Sequence, residues 1–199
     1  MNSLNIALFE LLNASPDSPS WLITLAYTCA VDLMWLVPAL FIIGWLRGSE
    51  PLKQSLLEAL IATLLALAVS RLIGTLWPMP RPFMIPIGES LIEHSATPAF
   101  PSNHLTILTT IGISLMLNSH SRRIGGCLLL LAIPVAWARI FMGVHFPQDM
   151  AGAVLLSALT AVLVGFNRAW LVLPVYEHVA KRFYHRLFAP LISRGWVSR

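Results

Sequence analysis

Apolar residues in this chain come in long blocks rather than in alternation or on one helical face. The blocks lie near 20–46, 55–77, 103–118, 124–143 and 148–171, and short polar or proline-bearing stretches separate them. A helix needs roughly 20 apolar residues to cross a hydrocarbon core, and a helix apolar all round belongs in lipid or in a large core. The pattern therefore predicts an all-α, polytopic transmembrane bundle of about five spans. The third block is short for a span and is expected to begin inside a protein-lined cavity.

The two ends read differently. Residues 2–14 are apolar but too few to span, and Pro16 and Pro19 cut them off from the first long block. Residues 1–19 are therefore expected to form an interfacial segment. From 172 to 199 basic and aromatic side chains alternate (Lys181, Arg182, Phe183, Tyr184, Arg186, Trp196). That pattern suits an amphipathic tail on an anionic membrane surface. With no internal repeat, 1–199 reads as one membrane-embedded domain.

Composition removes the soluble alternative: 57% of residues are hydrophobic, 11% are charged and the mean hydropathy is +0.75. A net charge of +4 is compatible with nucleic acid, but basic residues on a membrane protein ordinarily mark its cytoplasmic side. No nucleic-acid partner is expected, and no obligate protein partner is implied. Cys29 and Cys127 sit inside apolar blocks, where nothing calls for a disulfide or a metal. No Lys or Arg precedes Arg47, whereas a cleavable leader needs a basic start, so the first block is expected to be retained.

Of the 13 Lys and Arg residues, ten fall on one side of a five-span bundle: Arg47, Lys53, Arg122, Arg123, Arg168, Lys181, Arg182, Arg186, Arg194 and Arg199. That side is assigned to the cytoplasm. The other three, Arg71, Arg81 and Arg139, converge on the opposite face. The proline-rich loop 78–102 and the 143–148 turn lie there too, and long loops in compact domains are commonly functional.

Three segments meet on that face: Arg81-Pro82-Phe83, Phe100-Pro101-Ser102-Asn103-His104, and Arg139-x5-His145-x3-Asp149. Together they form a phosphoryl-transfer set without a metal. Arg81 and Arg139 offer forked donors to phosphate oxygens. Ser102 and the free N–H groups that open the third span add neutral donors and the positive end of a helix dipole. Two histidines can divide the roles of nucleophile and general acid. Asp149 can hold one nitrogen of His145 and leave the other free to attack phosphorus. Taken singly, Ser102 reads as an N-cap, Asp149 as a cap of the last span, and Arg81 as an ordinary loop cation. Arg139 resists such a reading, because a charge near the end of an apolar span is costly.

The set resembles the type-2 phosphatidic acid phosphatase superfamily, whose fold is shared with vanadium haloperoxidases. The family pattern is a Lys ahead of Arg-Pro, then Pro-Ser-x-His, then Ser-Arg-x5-His-x3-Asp. Here it is matched by Arg81 and Pro82, by Pro101, Ser102 and His104, and by Arg139, His145 and Asp149. The small size, the Phe-Pro-Ser-Asn-His form and the Gly-Trp-Val tail are similar to bacterial undecaprenyl-diphosphate phosphatases of the bacitracin-resistance type. The resemblance implies that His145 attacks the terminal phosphorus of a lipid pyrophosphate to form a phosphohistidine. It also implies that His104 serves as acid and then base. Arg81, Pro82, Ser102, Asn103 and Arg139 would form the phosphate site, on the outer face of the inner membrane, without a cofactor. Rival readings are phosphatidylglycerol phosphate or lipid A as substrate, phosphate transfer between lipids, and a non-catalytic membrane protein or transporter on the same fold.

Two positions depart from the pattern: Gly74 stands where the family Lys would be, and Ala138 where the Ser before Arg139 would be. Arg71, three residues before Gly74, either replaces that lysine or pairs with Asp32 inside the membrane. Opposite side-chain lean on antiparallel spans favours the pair. Glu89, Glu93 and His94 form a loop cluster that reads as a solvated face, with a divalent-ion site as the alternative.

Overall fold

The computed structural model describes residues 3–198; residues 1, 2 and 199, at the edges of the expected interfacial segment and basic tail, lie outside the described residues. Among those described, every regular element is helical. Helix α1 (Ser3–Leu12) is followed by α2 (Ser20–Ala30), a 3₁₀ turn (Asp32–Trp35) and α3 (Leu36–Arg47). Then come α4 (Glu50–Leu76), α5 (Asn103–Leu117), α6 (Arg122–Phe141) and α7 (Pro147–Phe166). Short helical turns lead to the tail helix α8 (Lys181–Ser193).

Four segments are long and apolar enough to cross a membrane: Ser20–Arg47, Glu50–Leu76, Arg122–Phe141 and Pro147–Phe166. The expected third span is shorter. Helix α5 has 15 residues, about 22 Å at 1.5 Å per residue. It packs against α4, α6 and α7, and in its first turn Leu105 and Thr106 are buried while Asn103 is exposed. Its contact with α7 includes hydroxyl bonds. Ser157 Oγ accepts from Thr110 Oγ1 (2.9 Å) and donates to the Thr106 carbonyl (3.1 Å), the kind of interhelical bond that apolar surroundings favour.

The first long block is not one helix. Val31 leaves the helical region (φ −121°, ψ −59°), and the 3₁₀ turn resets the chain before Pro38. A continuous helix would drive the Pro38 ring into the carbonyl four residues back, whereas the first turn of a new helix tolerates it. The second span begins at Glu50 rather than 55, and the last ends at Phe166 rather than 171. Beyond Phe166 the chain turns so that Arg168 reaches inward. Its guanidinium meets buried Glu58, Asn118 Oδ1 (2.8 Å) and Gln54 Oε1 (2.9 Å). This knot ties α4, α5 and the α7 exit at the end of the bundle away from the three motifs.

The interfacial segment is also tied down. Phe9 of α1 is fully buried against Phe146, with ring centroids 5.1 Å apart. Asn13 then pins two strands of backbone, accepting from Glu89 N–H (2.7 Å) and donating to the Phe141 carbonyl (3.0 Å).

Candidate active site

The site is assembled where α6 gives way to α7. Gly143 ends α6 with φ +75°, and a Cβ there would lie 2.0 Å from the Glu89 carbonyl, so only glycine serves. The turn delivers His145 to the interior, 1% exposed. Asp149, one turn into α7, accepts Phe146 N–H (2.8 Å) and His145 Nδ1–H (3.1 Å) on the same oxygen, Oδ2. The other ring nitrogen, Nε2, faces Arg81 Nη1 at 3.1 Å. A guanidinium can only donate. Nε2 is therefore the acceptor, and the ring proton sits on Nδ1, pointing at Asp149. Burial, then the cations of Arg81 and Arg139, hold the His145 pKa well below the ordinary histidine value. The ring is neutral, with its free lone pair on Nε2.

The two motif arginines are not equivalent. Arg81 was expected to grip phosphate, yet its N–H groups are engaged by the protein. Nε donates to the Thr97 carbonyl (2.9 Å), Nη1 to the Val144 carbonyl (2.9 Å) and to His145, and Nη2 to Thr97 Oγ1 and the Pro98 carbonyl (both 3.3 Å). It clips the 97–98 segment of the loop to the turn that carries His145, and Pro82, also buried, starts the short 3₁₀ turn that follows. Arg139 is 2% exposed, and its Nε and Nη2 have no hydrogen-bond partner among the described residues. A buried guanidinium with free donors is an anion site in waiting. Ser102 stands at the N-cap position of α5 but does not cap it. Its Oγ is buried and likewise unpartnered. Beside it, the first N–H groups of α5 have no intrahelical acceptor.

His104 is half-buried, and its ring has no hydrogen-bond partner among the described residues, which leaves it free to turn toward a leaving group. Asn103 is held from behind, where its Oδ1 accepts from Ser70 Oγ (2.8 Å). His94 does not belong to a metal cluster: among the described residues no three His, Cys, Asp or Glu side chains gather as ligands, Glu89 and Glu93 included. It packs near Phe83 (6.3 Å between centroids) and lies within electrostatic range of Arg81 and Arg139. Burial first, and then those cations, lower its pKa. A histidine read as loop surface thus belongs to the mouth of the site.

Arg71 and Asp32 do not pair. Both are exposed, and among the described residues no ion pair joins them. The break at Val31 puts Asp32 on the 3₁₀ turn, which packs on α2 and α3. Arg71 instead lines a cavity of about 480 Å³ with Ser70, Gly74, Thr75, Thr97 and Asn103. Thr97 thus meets both this cavity and Arg81, which places the cavity next to the motif residues. A Cβ at Gly74 would lie 3.3 Å from Pro98 Cβ, so the side chain missing at 74 leaves this space open.

A sequence profile described as the PAP2 superfamily matches residues 55–170, a stretch that contains all three motifs. The chain belongs to the PAP2 superfamily. YbjG of Escherichia coli (strain K12), named as a candidate undecaprenyl-diphosphatase, is 36% identical over 99% of this chain and 98% of its own. Two proteins named BcrC are similar as well. That of Bacillus licheniformis, called a bacitracin transport permease protein, is 30% identical over 91% of both chains. The undecaprenyl-diphosphatase BcrC of Bacillus subtilis (strain 168) is 32% identical over 61% of this chain and 60% of its own. In fold, the crystal structure of Aquifex aeolicus LpxE superposes with a TM-score of 0.65 at 23% identity, covering 83% of this chain and 96% of that one. With its four long apolar segments, this member of the PAP2 superfamily is a multi-pass membrane protein.

Proposed function

We propose that this PAP2 protein hydrolyses undecaprenyl diphosphate to undecaprenyl phosphate and inorganic phosphate through a phosphohistidine. The observation that carries the reading is the pairing of a tautomer-locked His145 with a buried Arg139 that has free donors. The first is a nucleophile, the second an anion site, and they stand six residues apart across one turn. Nε2 of His145 attacks the terminal phosphorus, the bridging P–O bond breaks, and His104 gives a proton to the departing lipid phosphate. Water then attacks the phosphohistidine while His104 takes up a proton, freeing inorganic phosphate and Nε2. Arg139, Ser102 and the opening N–H groups of α5, that of Asn103 among them, stabilise the equatorial oxygens. Arg81 joins them by transferring an Nη1 proton contact from Nε2 to phosphate. The cavity beside Arg71 takes the second phosphate, the one that stays on the lipid. Guanidiniums thus do the charge neutralisation that a metal does elsewhere. The names of the relatives supply the polyprenyl substrate, and the distribution of Lys and Arg supports a bacterial inner-membrane location with the site facing outward.

The test is phosphate release by purified protein in the presence of EDTA. Undecaprenyl diphosphate is set beside phosphatidylglycerol phosphate and a lipid A 1-phosphate, with ³²P in the terminal phosphate. Undecaprenyl diphosphate should have the highest kcat/KM. Label should accumulate on His104→Ala and never on His145→Ala. Preference for another lipid overturns the substrate, and label on His145→Ala overturns the mechanism.

A further inference from the structure

We infer that the tail helix and the α3–α4 corner form a seat for one anionic phospholipid, separate from the catalytic site. Along α8 the apolar residues Phe183, Tyr184, Leu187, Phe188 and Leu191 fall on one arc at 100° per residue, and Arg182, His185 and Arg186 fall on the other. Such a helix usually lies flat on its apolar face. Here it does not close down onto the bundle. Between it and the helices beneath is a cavity of about 520 Å³, lined by Phe41, Trp45, Leu57, Leu60, Phe183 and Phe188.

Struts at both ends keep this space open. At the start of α8, Lys181 pairs with Glu50 on α4 and with Glu177. Beyond its end, Ser198 is fastened to the α3–α4 corner. Its N–H donates to the Leu46 carbonyl (2.8 Å) and its Oγ to the Gly48 carbonyl (2.8 Å). The Ser198 carbonyl in turn accepts Tyr184 Oη–H (2.7 Å) and Lys53 Nζ (3.2 Å), and that ammonium lies 4.2 Å over the Tyr184 ring. Helix α8 is thus an arch with two footings.

The chemistry of the arch selects its occupant. The volume falls within the roughly 300–1,000 Å³ of ligand-sized pockets. Its walls are aromatic and aliphatic, which suits an alkyl chain. Arg182 and Arg186 are exposed, and no carboxylate pairs with them among the described residues. Arg47, next to the cavity-lining Leu46, is exposed too. Arg186, about 60° round the helix from Phe183, and Arg47, beside Leu46, put cations at the edge of an apolar groove beside a bilayer, which fits a lipid whose headgroup is an anion and whose chain enters the groove. A zwitterionic lipid satisfies the groove but not the cations at its edge.

The test is thermal unfolding and native mass spectrometry of the full chain in neutral detergent, with phosphatidylglycerol or phosphatidylcholine of the same chains. Phosphatidylglycerol should raise Tm by about 2–4 °C more than phosphatidylcholine, with one molecule retained in the gas phase. The double variant Arg182→Gln, Arg186→Gln should erase the difference while phosphate release is unchanged. Ala180→Trp, or Leu60→Trp should the first not fold, should fill the groove and abolish retention of either lipid. Equal stabilisation of the wild type by both lipids overturns the seat. So does a phosphatidylglycerol preference that survives filling of the groove, since that reports only adsorption to the basic face.

Discussion

Arg81 and His145 share a hydrogen bond of 3.1 Å, and the nitrogen it occupies, Nε2, is the one a nucleophile needs. The contact does two things at once. It fixes the protonated nitrogen as Nδ1, because a guanidinium cannot accept, and it covers the lone pair until an anion competes for the guanidinium. An incoming phosphate offers better acceptors than an imidazole nitrogen, and charge-assisted bonds are the stronger ones. On the proposed mechanism, substrate binding and exposure of the nucleophile are then one event.

Arg81→Lys tests that coupling. Lysine keeps the charge but not the fork, so it cannot hold Thr97, Pro98, Val144 and His145 together. Turnover should fall by about 10²-fold or more, the scale for loss of one oriented donor. Amide exchange in 96–99 should quicken in the resting protein. Wild-type exchange in that segment would mean that Arg81 does not clip the loop.

Asp149→Asn isolates the tautomer. The substitution keeps size and shape, but an amide oriented to serve Phe146 N–H with its oxygen is a poorer acceptor for Nδ1–H, and flipped it is a donor. Removing the analogous charge in a Ser–His–Asp triad lowers kcat by about 10⁴-fold, and a loss of about 10³–10⁴-fold is expected here. Vanadate, which mimics phosphate, should still bind, because Arg139 and Ser102 are untouched. Near-normal kcat in this variant would remove Asp149 from the mechanism.

The clustering of the motif residues was readable because their spacing is local. His145 and Asp149 stand four residues apart across the start of α7, and Ser102 and His104 lie in one short segment at the opening of α5, so spacing alone keeps each pair close. Residue type also singled out Arg139, because a charge near the end of an apolar span is costly. Partners made of backbone were not readable. The carbonyls of Thr97, Pro98 and Val144 that engage Arg81 carry no sequence signature, and neither do the Asn13 contacts that hold the loop. The Asp32–Arg71 pairing failed for a related reason. It assumed one straight helix over 20–46, and hydropathy does not register a backbone break such as that at Val31. His94 was misjudged because a loop's path over a site is a tertiary property.

His145 also makes stability depend on pH. Its folded pKa lies below the unfolded value of about 6.5, so below that value the unfolded chain binds more protons than the folded one. Stability is then fully present above about pH 6.5 and is lost as pH falls toward the folded value. Tm of the wild type should drop more steeply between pH 7.5 and 5 than Tm of His145→Asn, which has no such group. Parallel curves would show that burial of a neutral His145 does not shape the acid limb.

Arg71 now has a single expected role, which rests on the proposed reaction. It lines the cavity next to Asn103 and Thr97, has no carboxylate partner among the described residues, and stands one helical turn from the position where the family carries lysine. A diphosphate has two anionic centres. Arg139 with Ser102 serves the terminal one, and a cation near the second discriminates a diphosphate lipid from a simple phosphomonoester. Arg71→Met should therefore raise KM for undecaprenyl diphosphate by about 10-fold or more, the scale of a charge-assisted hydrogen bond worth about 1.5–3 kcal/mol. Its kcat/KM for p-nitrophenyl phosphate, which has no second phosphate, should stay within about 2-fold of wild type. Asp32 provides the internal control. Two unpaired, separated residues should give additive stability changes within about 0.3–0.5 kcal/mol, whereas breaking a buried ion pair costs about 3–5 kcal/mol on loss of either partner. Additivity of Arg71→Met with Asp32→Leu, together with the KM effect confined to the diphosphate, is the expected outcome. A double mutant more stable than either single one would restore the ion pair. An equal loss on both substrates would place Arg71 at the terminal phosphate instead.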